Sequence, residues 1–129
     1  MFEAPDVMRI AQDMARHAAK RQTLSAKNTA NADTPGYRAM DNGAFADAVR
    51  QSPRAIDMRT THAAHLNTAD RARAPRVFEI GGEASPNGNT VSLELELVRA
   101  GRAKSEHDTA LSIYKSSLDM MRTALGRGR

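Results

Sequence analysis

The 129-residue chain reads as a mainly α protein. Long N- and C-terminal helices are expected to pair as an antiparallel, coiled-coil-like hairpin around a largely irregular middle segment. Three observations predict this. Apolar residues recur at alternating steps of three and four at both ends of the sequence and only weakly between them. Gly and Pro are scattered through the middle and do not interrupt the N-terminal repeat. Hydrophobic residues make up 40% of the chain, with 4% aromatic residues and no Cys or Trp. Much of that apolar share is Ala, and at about 25 cal/mol per Å² buried it cannot fill a thick core. A large enzyme with a deep pocket and a disulfide framework are therefore both excluded.

The first element runs from about Asp6 to Asn31. Asp6, between Pro5 and Val7, has the character of an N-cap. Val7, Ile10, Met14, His17, Arg21, Leu24, Asn28 and Asn31 form a seam that starts apolar and turns polar. Ala11, Ala15, Ala18, Ala19 and Ala26 flank it, and their small size lets a second helix approach closely. The helix stops at Asn31-Ala32-Asp33-Thr34-Pro35-Gly36. Pro35 disfavours helix at Thr34, and Pro35-Gly36 suits the two central positions of a type II turn.

With residues 1–35 as the first segment, residues 36–89 form a connector. Phe45, Ala46, Ala48 and Val49 predict a short helix after Asp41 and Asn42. The alternation Arg76-Val77-Phe78-Glu79-Ile80 predicts a short strand near 76–80. Gly81-Gly82 and Pro86-Asn87-Gly88-Asn89 break regular structure. A connector of this length with so few elements is expected to be ordered on assembly with a partner.

Residues 90–129 carry the strongest repeat: Leu93, Leu97, Ala100, Lys104, His107, Leu111, Tyr114, Leu118, Met121 and Leu125. Ser92 is the expected N-cap. Glu94 and Glu96 suit the positive end of the helix dipole, and Arg122 and Arg127 the negative end. A helix of about 34 residues spans on the order of 50 Å. It is longer than the first helix, so part of its stripe has no partner within the chain. That surplus predicts association with other chains.

Little else points to chemistry. The formal charge is +4, but the excess is spread thinly, and no basic run is interleaved with aromatics. Nucleic-acid binding is not expected. His62 and His65, with Asp57 and Asp70 nearby, lack an evident third ligand for a metal. There is no Gly-x-Ser-x-Gly and no Gly-rich phosphate loop opening a helix. No catalytic residue, cofactor or metal is predicted, nor is a membrane span. The N-terminus does not have the pattern of a cleaved secretory signal.

One segment exceeds the needs of a helix stop. Asn28, Ala30, Asn31, Asp33, Thr34, Pro35, Gly36 and Tyr37 put many side-chain donors and acceptors where a helix ends. The run Asn28-Thr29-Ala30-Asn31-Ala32-Asp33-Thr34-Pro35-Gly36-Tyr37 resembles the signature of the flagellar basal-body rod proteins, whose N-terminal helix ends in an Ala-Asn-x-x-Thr-Pro-Gly-Tyr-type motif. Further features are similar to the proximal members of that family. These are Arg16-His17-Ala18-Ala19-Lys20-Arg21-Gln22 before the signature, and Arg38-Ala39-Met40-Asp41 with Phe45 after it. Thr61-His62 and His65-Leu66 lie in mid-chain, and Asn87-Gly88-Asn89-Thr90-Val91 precedes the last helix. Where the family usually reads Asn-Ile-Ala-Asn, Thr29 replaces the apolar residue.

The resemblance implies a non-enzymatic structural subunit of the proximal rod, polymerising through its terminal helices. Helix-interface residues are then expected at Ile10, Met14, Leu24, Leu93, Leu97, Leu111, Tyr114, Leu118, Met121 and Leu125. Implied partners are copies of itself, the rod proteins FlgC and FlgF, the adaptor FliE, the MS ring (FliF) and the flagellar type III export apparatus. The implied location is the basal body, where the rod crosses the periplasm. Two alternatives remain at this point: another rod subunit such as FlgC, or a small helical-hairpin adaptor or nucleic-acid-binding module.

Overall fold

The computed structural model describes residues 4–51 and 76–126. Five elements occur among them: α1 (Ala4–Ala30), β1 (Met40–Asp41), α2 (Phe45–Gln51), β2 (Phe78–Glu79) and α3 (Leu93–Gly126). The two long helices pack against each other, and the short helix and strand expected in the connector both form. His62 and His65, Asp57 and Asp70, and Arg127 lie outside the described residues.

The ends of the helices differ in how well the sequence foretold them. Helix α1 starts at Ala4, so Asp6 lies in its first turn rather than at the N-cap. There Asp6 accepts a 2.8 Å bond from Arg9 one turn on. Helix α3 starts directly after Ser92. The Leu95 amide lies 3.5 Å from Ser92 Oγ and the Glu96 amide 3.0 Å from the Ser92 carbonyl, as a capping residue provides. Arg122 pairs with Asp119 at 3.5 Å on the flank of the helix and does not reach its last turn.

The buried strip of α3 is one position away from the line of leucines. Glu96, Ala103, Ala110 and Ser117 are buried, at a spacing of seven. Ala100, His107, Tyr114 and Met121 are half-buried beside them. Leu93, Leu97, Leu111 and Leu125, expected in the seam, are exposed, and Leu118 is half-buried. On α1 the buried line is Ala11, Ala18 and Ser25, again seven apart, with His17, Leu24 and Asn28. Ile10, expected in the seam, is 43% exposed, and Met14 is half-buried.

The physical reason is size and polarity. Ser25 Oγ donates to the Glu96 carbonyl at 3.1 Å, which sets the register. Counting heptads from that bond places Ala18 level with Ala103, and Ala11 with Ala110. All four alanines are buried to 2% exposure or less. Facing small residues bring the two backbones close, and a leucine line between the helices would hold them apart. A frame shift of one residue turns a helix by about 100°. The leucines are thereby carried from the α1-facing side to its flank.

The connector is fastened where it leaves and where it returns. β1 and β2 pair antiparallel, Met40 with Glu79 and Asp41 with Phe78. The Ile80 amide donates to the Ala39 carbonyl at 2.7 Å, and the Thr90 amide to the Tyr37 carbonyl at 3.1 Å. Thr90 Oγ1 accepts from the Ala39 amide at 3.0 Å. Residues 37–41, 78–80 and 90 thus form one small stem beside the C-terminal end of α1.

Gly101 sits in the interior of α3, exposed, and a methyl group there would meet nothing within 4 Å. Gly101→Ala is expected to stabilise the chain by about 0.5–1 kcal/mol, because Ala loses less backbone entropy in a helix. Thermal melting followed by circular dichroism checks this as a rise in Tm.

Candidate assembly site

The turn that ends α1 has the predicted form. The Tyr37 amide bonds the Thr34 carbonyl at 3.3 Å, and Gly36 has φ 70°. Pro35 and Gly36 therefore occupy the central positions of a turn that needs a left-handed residue third. A side chain at Gly36 would be strained by that φ even though the space is open. Asp33, Thr34 and Pro35 are exposed. Ala30 is exposed at the last position of α1.

Asn28 acts as a surrogate strand. Its Nδ2 donates to the Met40 carbonyl at 2.8 Å, and its Oδ1 accepts from the Met40 amide at 3.0 Å. The Tyr37 hydroxyl donates to the same Oδ1 at 3.2 Å. One buried amide thus satisfies both backbone groups of Met40 and positions Tyr37 after the turn. Asn31 does a smaller task, donating to the Lys27 carbonyl at 2.8 Å and accepting from Thr34 Oγ1 at 3.3 Å. Thr29 is exposed and returns its hydroxyl to the Ser25 carbonyl at 2.9 Å.

Sequence reasoning missed the main cap. Asn89, 1% exposed, donates from Nδ2 to the carbonyls of Asn31, Ala32 and Thr34 at 2.9, 2.7 and 2.9 Å. Its Oδ1 accepts from the Val91 amide at 2.8 Å. It covers carbonyls left open at and just beyond the end of α1, and it ties them to the start of α3. The Gly36 amide adds a 2.9 Å bond to the Asn87 carbonyl. The available signal was the polar run Asn87-Gly88-Asn89, which reads in sequence as a breaker and as a family-like element, without a capping role.

A second missed group lies two turns before Asn28 in α1. Arg21, set in the α1 seam, donates from Nε and Nη2 to the two Asp41 oxygens, both at 3.1 Å. Its other Nη lies 3.5 Å from Glu106 of α3. Both Arg21 and Asp41 side chains are nearly buried, so this is a paired, desolvated fork rather than a surface bridge. A charged residue in a helix seam demands such a partner, and that demand was the readable signal. Asn42 next to it donates from Nδ2 to the His17 carbonyl at 3.0 Å.

His17 is buried, with its ring edge-on to Phe45 at a centroid distance of 5.6 Å. Both ring nitrogens are shut off from solvent, and the Asn42 backbone is the polar group beside the ring. Burial pushes the pKa of this imidazole below its ordinary 6.5, and Arg21 adds to that. The Asn42 backbone, Glu106 and Asp41 pull the other way.

Arg21, Asp41, Asn42 and His17 gather on the flank of α3 that carries Glu106. The opposite flank is open. There Leu97, Leu111, Leu118 and Leu125 run in line with Lys104, which pairs with Asp108 at 3.1 Å. Leu97 is 77% exposed, Leu111 50% and Leu125 84%. With Ala100, His107, Tyr114 and Met121 they make a second four-three seam, sharing one line of residues with the first. Helix α3 therefore carries two adjacent seams, one filled by α1 with small residues and one lined with leucine. Among the described residues no group of His, Asp or Glu could hold a metal, and no helix is long and apolar enough to cross a membrane.

No protein-family model matches the chain. Relatives match the chain along most of its length. The flagellar basal body rod protein FlgB of Agrobacterium fabrum is 34% identical over 119 residues, 87% of each chain. The FlgB of Aquifex aeolicus is 30% identical over 110 residues, 85% of this chain and 84% of its own. That of Salmonella typhimurium is 28% identical over 131 residues, 94% of each. With identity at this level along nearly the whole of both proteins, the chain belongs to the flagellar basal body rod protein FlgB family.

Proposed function

We propose that the chain is a non-enzymatic structural subunit of the flagellar basal-body rod, polymerising through its terminal helices to help build the hollow drive shaft. The observation that carries this reading is the leucine seam left open on α3. Burying one leucine is worth about 1.5–3 kcal/mol. Ordering backbone costs about 1–2 kcal/mol per residue. Neighbouring subunits that cover the seam offset the ordering cost that the alanine-lined hairpin recovers poorly alone. Family membership and the rod names of the relatives support the same role.

In this reading the subunit belongs to the proximal rod. Its neighbours are copies of itself, FlgC and FlgF, with the adaptor FliE and the FliF MS ring at the base. It reaches the periplasm through the flagellar type III export apparatus. Asn28 and Tyr37 spend their polar side-chain atoms inside the chain, so the exposed members of the signature, Ala30, Asp33, Thr34, Pro35 and Gly36, are the ones that meet a neighbour. The connector between the helices takes its final order on assembly.

An epitope-tagged copy tests this in motile cells deleted for the native gene. The tagged chain is expected to restore swimming and to co-purify with isolated basal bodies. Restored swimming with the tag absent from basal bodies would overturn the proposal.

A further inference from the structure

The chain contains two Asn-Gly steps, Asn42-Gly43 and Asn87-Gly88. Glycine has no side chain to shield its amide nitrogen, so that nitrogen can attack the side-chain amide of an asparagine just before it. The two steps stand in opposite surroundings. Asn42 is 5% exposed and donates from Nδ2 to the His17 carbonyl at 3.0 Å. Asn87 is exposed, in the turn that brings the connector back to α3.

We propose that Asn87 is a deamidation site, and that the reaction is held back by docking of its turn on the end of α1. The Gly88 nitrogen attacks Asn87 Cγ. The N–Cγ bond forms and the Cγ–Nδ2 bond breaks. The Gly88 proton passes through solvent to the departing Nδ2, which leaves as ammonia. Water then opens the five-membered imide at either carbonyl and leaves aspartate or isoaspartate. One water is consumed, one ammonia is released, and nothing is oxidised or reduced.

In the docked turn the attacking group is occupied. The Gly88 amide donates to the Ser85 carbonyl at 2.7 Å, and that bond must open before the nitrogen can react. The Asn87 carbonyl, in the same peptide, is braced by the Gly36 amide at 2.9 Å. Asn87 Oδ1 is itself tied to the Asn89 amide at 3.0 Å. Attack therefore proceeds from a locally opened turn.

The two products differ in consequence. Aspartate keeps an acceptor for the Asn89 amide. Isoaspartate carries the main chain through Cγ, which lengthens it by one CH₂ and turns the carbonyl that Gly36 uses into a free carboxylate. The change falls two residues before Asn89, whose Nδ2 holds the carbonyls of Asn31, Ala32 and Thr34. One isoaspartate thus unfastens the start of α3 from the end of α1.

The full chain is incubated in mildly alkaline buffer across a series of urea concentrations. Tryptic mass spectrometry locates the acid, and an isoaspartate methyltransferase assay identifies the isomer. In full denaturant both asparagines are expected to react. Without urea only Asn87 reacts, slowed by about tenfold or more, as befits a reaction confined to a locally opened state. Its rate is expected to climb at lower urea than that of Asn42. An Asn87 that keeps its amide even in full denaturant would overturn the site. Equal Asn87 rates with and without urea, or rates at Asn42 and Asn87 that climb together, would overturn the hold by the docked turn. The purified isoaspartate form should melt below the parent chain, and Asn87→Asp close to it. An isoaspartate form that melts with the parent would overturn the unfastening.

Discussion

Leu111→Asp is expected to abolish incorporation into the rod while leaving the hairpin folded. Leu111 sits on the open seam, half exposed, one position from the alanine that α1 covers. A carboxylate there stays hydrated in the free subunit and costs little. In a subunit interface it would have to be desolvated with no cation assigned to it, a loss of several kcal/mol at each contact. Repetition along a polymer multiplies that loss. Circular dichroism of the purified variant should match the parent, whereas swimming and recovery in basal bodies should both fail. Normal motility in this variant would remove the leucine seam from the assembly interface.

The second large effect falls on the fold. Asn28→Ala leaves the Met40 amide and carbonyl and the Tyr37 hydroxyl without the partner they share. Each orphaned buried group costs about 1–3 kcal/mol, and partial rehydration of the stem recovers some of it. A net loss of roughly 2–4 kcal/mol is expected, measured by urea unfolding. Tyr37→Phe gives the control. It removes one 3.2 Å bond to an oxygen that keeps its other donor, and should cost about 1 kcal/mol or less. A loss in Asn28→Ala no larger than in Tyr37→Phe would show that the Met40 pair contributes little.

The contrast between what could and could not be read from the sequence is informative. The two helices were legible because periodicity is local, and so was the Thr34–Tyr37 turn, whose Pro and Gly carry their own backbone preferences. The frame of the hairpin was not. Large apolar residues dominate any pattern along α3, yet the facing strip is chosen by Ala103, Ala110 and the Ser25–Glu96 bond, which spans 71 residues. The leucine repeat lies on the flank of α3 and not against α1. Asn89 escaped for a related reason. Its amide is spent on carbonyls 55 to 58 residues away, and nothing in Asn87-Gly88-Asn89 names that destination. Arg21 was nearer to legible, since a seam position with a guanidinium implies an acid opposite. Asp41 and Glu106 were two of many candidates.

The polar ties between α1 and α3 among the described residues, Ser25 to Glu96 and Arg21 to Glu106, both lie toward the connector end. Past Ala11 and Ala110 no hydrogen bond or ion pair joins the two helices among the described residues, and α3 continues beyond the first residue of α1. Mechanically the hairpin is a clamp riveted at one end. Axial or twisting load passes stiffly through the riveted end, while the other end can splay a few degrees without breaking a hydrogen bond. A subunit built this way can conform to a curved wall by adjusting its free ends and keep its register fixed at the rivets.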